Sequence, residues 1–306
     1  MMEEIRKKKE KHLVEKERWT KMEEELERVK EREQEILDKL PGLKLQNPGN
    51  SCFLNVAIQM MQKAGCGRHF KRTCETPMHK QLKWIFDGKK ETKDATVLRS
   101  LLSDKTLKTG AQRPFKAFNA LMEDLSTECG ARHEPLCSMF SYQLISTLKG
   151  YTGGCGEYQL SIEKRTSCLE YTLGKRRTFL DVVASKEQKC LKKHTVEGDF
   201  LGQREWRVEL KNSKFLLVNI RRRPGQDTGL LDPREPNIFL GNKLKLVGFV
   251  EVEMCGGGEY HAISWTRHGD YWTRHNDDKE TEIYEHPINW TAMTIGHLFL
   301  FEKVDT

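Results

Sequence analysis

The chain holds 306 residues, 37% hydrophobic and 32% charged, with 52 Lys/Arg against 45 Asp/Glu for a net charge of +7. That length sustains a sizeable core in one large or two small domains, and the composition argues against a fully disordered chain. The longest apolar runs, such as Phe215 to Val218 and Leu298 to Phe301, are too short for an integral membrane protein, and no apolar run follows the basic start as in a secretory signal.

Residues 1–40 form the first segment. They hold 12 Lys/Arg and 13 Asp/Glu, and no Gly or Pro occurs before Pro41 and Gly42. Ile5, Trp19, Met22, Leu26, Val29, Ile36 and Leu40 fall at heptad-like spacing, interrupted by Lys8, His12, Glu15 and Glu33. The pattern predicts a long charged helix with a weak coiled-coil seam from about Trp19 to Leu40, ended by Pro41 and Gly42. Such a helix either pairs with a partner or stands solvated on i,i+4 ion pairs.

Residues 41–306 read as one further domain. Cys52–Lys63 is predicted as a helix with Phe53, Leu54, Ala57, Ile58 and Met61 on one face, and Phe115–Leu125 as another. After Trp206 the pattern turns to strands: Phe215–Ile220, Leu244–Met254, Tyr260–Trp265 and His297–Phe301. In Leu244–Met254 the alternation puts Leu244, Leu246, Val250, Val252 and Met254 on one face, with Gly248 as a bulge. Helices first and strands later give an α+β domain rather than alternating βαβ units.

Nine cysteines, an odd number with no CxxC pair, read as reduced thiols of the cytoplasm or nucleus. Cys52 follows a Pro-Gly turn and opens a predicted helix, where unpaired N–H groups and the dipole favour a thiolate. Asn47 lies five residues earlier and offers an amide N–H of the oxyanion-hole kind. The same pattern also suits a buried structural cysteine. A thiolate nucleophile needs a base. His261, after Gly256, Gly257 and Gly258, is the best placed, although a lone strand histidine is commonly structural. Asn276, Asp277 or Asp278 supplies a group to orient the imidazole, as a triad's third member does, or else a polar turn.

His261, His268 and His275 are spaced by seven, near Cys255, which matches no metal-ligand pattern, so neither metal nor cofactor is expected. Arg221, Arg222 and Arg223 form a short basic run without interleaved aromatics, so nucleic acid is not an expected partner.

The stretch Leu45–Gln59 resembles the cysteine box of the ubiquitin-specific proteases, Gly-Leu-x-Asn-x-Gly-Asn-Thr-Cys-Tyr-x-Asn-x-x-x-Gln. Leu45, Asn47, Gly49, Asn50, Cys52, Asn55 and Gln59 match, Ser51 and Phe53 are close substitutes, and Lys44 stands where glycine is usual. Lys214–Arg223 is similar to the family's central strand. Tyr260-His261-Ala262 stands at its Gly-His-Tyr, and Trp272–Asp277 resembles its Trp-Tyr-x-Phe-Asn/Asp-Asp. These markers run in family order over roughly Leu43 to Lys303.

The resemblance implies a papain-like fold with thumb, palm and reduced fingers, and hydrolysis after the C-terminal glycine of ubiquitin. It implies Cys52 as nucleophile, His261 as general base, Asn276 orienting it, Asp277 in support and Asn47 holding the oxyanion. Ubiquitin or ubiquitinated proteins would be partners, with a coiled-coil partner for residues 1–40. The family's Gln-Gln-Asp-Ala-x-Glu-Phe box stands here as Gln112–Phe118, with Pro114 and Ala117 replacing its two acids. The family's zinc-binding fingers are at best remnants at Cys155 and Cys168. A diverged enzyme, a protease for another ubiquitin-like tail, or a catalytically weak ubiquitin-binding scaffold follows from those departures.

Overall fold

The computed structural model describes residues 15–28, 30–31, 43–49, 51–71, 76–87, 92–109, 112–129, 134–150, 157–166, 168–172, 189–195, 198–210, 213–221, 237–239, 242–254, 260–277, 279, 281–285 and 297–304. It divides into two compact units, Met1–Gly42 and Leu43–Thr306. In the first, residues 15–28 form helix α1, and 30–31 are helical too. Trp19, Met22 and Leu26 are exposed along it. Glu27 and Lys30 pair at 3.7 Å on its solvated surface. The rest of the expected seam, including Ile5, Val29, Ile36 and Leu40, lies outside the described residues.

The second unit is mixed α+β. Its first part is helical: β1 (Lys44–Gln46), α2 (Cys52–Lys63), α3 (Pro77–Asp87), β2 (Thr92–Asp94), α4 (Thr96–Leu101), α5 (Pro114–Cys129) and α6 (Glu134–Ser138). Strands follow: β3 (Ser141–Gly150), β4 (Glu157–Thr166), β5 (Leu169–Thr172), β6 (Lys189–Thr195), β7 (Gly198–Glu209), β8 (Phe215–Arg221), β9 (Asn237–Phe239), β10 (Asn242–Met254), β11 (Tyr260–His268), β12 (Tyr271–His275), β13 (Glu282–Tyr284) and β14 (Leu298–Lys303). The turn to strands therefore comes at Ser141, well before Trp206. Strands β4-β3-β7-β6 make a four-stranded antiparallel sheet that the sequence reading did not place, although Tyr158, Leu160 and Ile162 alternate with polar residues along β4.

The larger sheet has eight strands, ordered β13-β12-β11-β10-β14-β8-β5, with β9 beside β10. One face carries the main core. Helix α2 packs on β10, β11 and α5. Phe53, Leu54, Val56, Ala57, Ile58, Met60 and Met61 are all buried, so the helix is enclosed nearly all round. Each such large side chain contributes roughly 1.5–3 kcal/mol by leaving water. The sheet's other face holds a second cluster centred on Phe249, whose ring lies 5.7 Å from Trp265, 5.6 Å from Trp272 and 6.5 Å from Phe299.

Strand β10 corrects the sequence reading. Its pairing with β14 shifts register between Leu246 and Gly248. The extra residue reverses the parity of inward-facing positions. Leu244 and Leu246 belong to the Phe249 cluster, whereas Val250 and Val252 join the helix-side core. A Cβ at Gly248 would lie 3.0 Å from the Met60 sulfur and 3.1 Å from the Trp265 carbonyl oxygen. Glycine at the bulge thus lets α2 approach the sheet. Helix α5 runs past the expected Leu125 to Cys129, since no breaker precedes Gly130.

Candidate active site

Cys52 is the first residue of α2, and it is buried. The chain reaches it through a turn in which Gly49 takes a φ of +76°, its N–H bonded to the Asn47 carbonyl at 2.8 Å. Glycine adopts that left-handed conformation without a Cβ penalty. Arg99 fixes the turn by donating Nη1–H to the Gly49 carbonyl at 2.8 Å. Ser51 precedes the helix, and its carbonyl accepts from Leu54 and Asn55 N–H at 2.9 and 3.0 Å. Its own N–H donates to Asn47 Oδ1 at 2.7 Å.

His261 enters from β11, and β12 turns back to deliver Asn276 and Asp277 beside it. His261 Nε2–H donates to Asn276 Oδ1 at 2.6 Å, and Asp277 Oδ2 lies 3.6 Å from the same nitrogen. The Cys52 side chain is the ring's other hydrogen-bond partner. That bond is the chief reason the imidazole is held well above its usual value, at about 9; burial opposes it, and Asn276 and the Asp277 charge add to it.

Asp277 does more than flank the histidine. Its Oδ2 accepts from Asn47 Nδ2 at 2.8 Å and its Oδ1 from Asn55 Nδ2 at 2.7 Å. The Asn55 amide also donates to the Gln46 carbonyl at 3.1 Å, tying α2 to β1. Asp277 holds a φ of +52°, which non-glycine residues adopt rarely and aspartate more readily than most.

The structure therefore brings together Cys52, His261, Asn276, Asp277 and Asn47. Asn55 and Ser51 belong to the same network. The cysteine box already contained them, but their chemistry was invisible without the distant carboxylate. Asp278, Cys155, Cys255 and the glycines at 256–258 lie outside the described residues. Cys168 is buried in the core with its thiol pushed well above the ordinary range by burial. His268 and His275 both meet the Thr266 hydroxyl, at 3.1 and 3.0 Å, in a threonine network of strands β11 and β12. Burial lowers them to about 3 and about 4.

A buried sulfur, an imidazole held protonated beside it, and side-chain and backbone amides at a helix start are the parts of a thiol acyl-transfer centre. No protein-family model matches the chain. A curated Caenorhabditis elegans protein, serine/threonine-protein phosphatase C23G10.1, is 34% identical over 128 residues, covering 36% of this chain. The chain spans only 28% of that relative's length. Among solved structures, the fold is similar to the SAGA DUB module Ubp8/Sgf11/Sus1/Sgf73 bound to monoubiquitin. That match has a TM-score of 0.62 and 11% identity, and covers 87% of this chain and 70% of that one.

Proposed function

We propose that this chain is a cysteine-type deubiquitinase, hydrolysing the isopeptide or thioester bond at the C-terminal glycine of ubiquitin or a ubiquitin-like modifier. The observation that carries this reading is the gathering of Cys52, His261, Asn276 and Asp277 at the start of α2, in a fold similar to a ubiquitin-bound module. In this reading the helices α2–α6 serve as thumb, the eight-stranded sheet as palm and the four-stranded sheet as reduced fingers. The phosphatase name belongs to a longer protein of which this chain matches a small part, and it adds no substrate here.

The Cys52 thiolate attacks the terminal glycine carbonyl, and the sulfur–carbon bond forms as the carbonyl electrons move to oxygen. The Asn47 amide, aimed by Asp277, and N–H groups at the start of α2 receive that oxyanion. The oxyanion collapses, the carbon–nitrogen bond breaks, and the His261 imidazolium gives its proton to the leaving amine. A thioester remains. His261, now neutral, takes a proton from water, whose oxygen attacks the thioester and releases the glycine carboxylate and Cys52.

The test is ubiquitin bearing a C-terminal electrophile, run beside the same electrophile on ubiquitin-like proteins. One adduct per chain is expected, absent in Cys52→Ala. Failure of the whole panel to label Cys52 ends this reading. A non-catalytic ubiquitin-binding scaffold is the second reading, favoured by Pro114 and Ala117 in place of acids and by the exposed Trp19, Met22 and Leu26, which suit a partner helix. Unchanged cellular effect of Cys52→Ala would select it.

A further inference from the structure

A cleft of about 610 Å³ opens beside the candidate site. Tyr260, which lines it, immediately precedes His261, and lining residue Val252 pairs across the sheet with Ala262. The rest of its described lining includes Asn219 on β8, His297, and Arg113 and Lys116 at the start of α5.

The charged residues among the described lining carry one sign. Helix α5 is 16 residues long and has no acidic residue in its first turn. Its N-terminal end lines the cleft, presenting the positive pole of the helix. Arg113 and Lys116 add full charges at the same end. No described lining residue is Asp or Glu. Asp104, whose carboxyl feels Lys116, is not part of the lining.

A second observation is independent of charge. Asn219 is 5% exposed, and its Nδ2 has no hydrogen-bond partner. Buried amide donors are ordinarily satisfied, and this one belongs to a residue that lines the cleft, so an acceptor entering there would satisfy it. A main-chain carbonyl of an extended peptide has the required chemistry.

We infer that the cleft receives an acidic peptide tail: an extended segment with a carboxylate side chain upstream of its terminal Gly-Gly. This rests on the hydrolase reading for the position of the Gly-Gly and deepens it by naming the tail. The carboxylate meets the start of α5 with Arg113 and Lys116, and Asn219 Nδ2–H donates to a peptide carbonyl. An arginine-bearing tail meets like charge in the same place.

The test uses the full chain as Cys52→Ala and two fluorescein-labelled peptides, Glu-Leu-Glu-Gly-Gly and Arg-Leu-Arg-Gly-Gly, read by anisotropy. The Glu peptide is expected to bind about tenfold tighter. Arg113→Glu with Lys116→Glu inverts the preference, and the milder Arg113→Gln with Lys116→Gln abolishes it. Asn219→Leu weakens both peptides by a similar factor. Equal affinities, a tighter Arg peptide, or binding of neither overturns the inference. Electrophile labelling of the unmodified chain reads the hydrolase assignment separately. A Cys52 adduct with no Glu preference sinks the tail inference alone, and a Glu preference with no adduct sinks the hydrolase alone.

Discussion

The Asn47 amide donates to the Asp277 carboxylate at 2.8 Å across 230 positions of chain. One carboxylate thereby sets the aim of the candidate oxyanion donor, bonds Asn55 of α2, and adds its charge to His261. The helix of the candidate nucleophile, the candidate base and the candidate oxyanion donor are coupled through a single side chain.

That coupling predicts a large effect for a nearly isosteric change. Asp277→Asn leaves one carbonyl oxygen for two amides, so either Asn47 or Asn55 faces an NH₂ group. Electrophile labelling should slow by about 10²-fold through misplacement of the reacting groups. Stability should fall by roughly 1–3 kcal/mol for the unsatisfied amide. Wild-type labelling together with a wild-type melting temperature would refute the role of Asp277.

Asn47→Ala removes the proposed oxyanion donor directly. A loss of about 10²–10³-fold in kcat is expected, with substrate KM little changed, because the contact forms only as charge develops on oxygen. Steady-state kinetics on a modifier–coumarin substrate checks it, and a pure KM effect would contradict it.

His261, raised from 6.5 to about 9, should set the alkaline limb of the proposed activity. Its folded value exceeds its unfolded one, so its contribution to stability is full below 6.5 and is lost as pH rises through about 9. Turnover should fall over the same window, as the proton donor to the leaving amine is lost. Asn276→Ala removes a hydrogen bond that favours the imidazolium, and should move the limb to lower pH. A limb unmoved by that substitution would show that Asn276 does not govern the imidazole.

His275 works in the opposite sense. Burial lowers it from 6.5 to about 4, so the folded state takes up its proton later than the unfolded chain as pH falls. Stability should therefore be present above 6.5 and drain away as pH drops toward 4, along with that of His268, held at about 3. Melting curves across this range test it. His275→Gln should flatten the acid slope, and an unchanged slope would assign acid sensitivity elsewhere.

Gly248→Ala should cost about 1–3 kcal/mol, because its methyl would press on the Met60 sulfur at 3.0 Å and the Trp265 carbonyl at 3.1 Å. Chemical denaturation measures this, and neutrality would mean that α2 moves away without penalty.

The sequence by itself determined the local elements whose signals are local. Cys52 opening α2, the apolar face of Phe53 and Ile58, the strand over Phe215–Ile220 and the bulge at Gly248 follow from turn chemistry and periodicity within a few residues. The order of the cysteine, histidine and Asn-Asp motifs was equally legible, through resemblance. Three things were decided only by tertiary structure. The faces of β10 depend on how many residues the bulge inserts against β14, which spacing within one strand does not state. The four-stranded sheet depends on pairing between strands distant in sequence, β3 with β7 among them. The partners of Asp277 depend on folding that brings β1, α2 and the end of β12 to one point, because a hydrogen bond between Asn47 and Asp277 leaves no trace in the sequence around either residue.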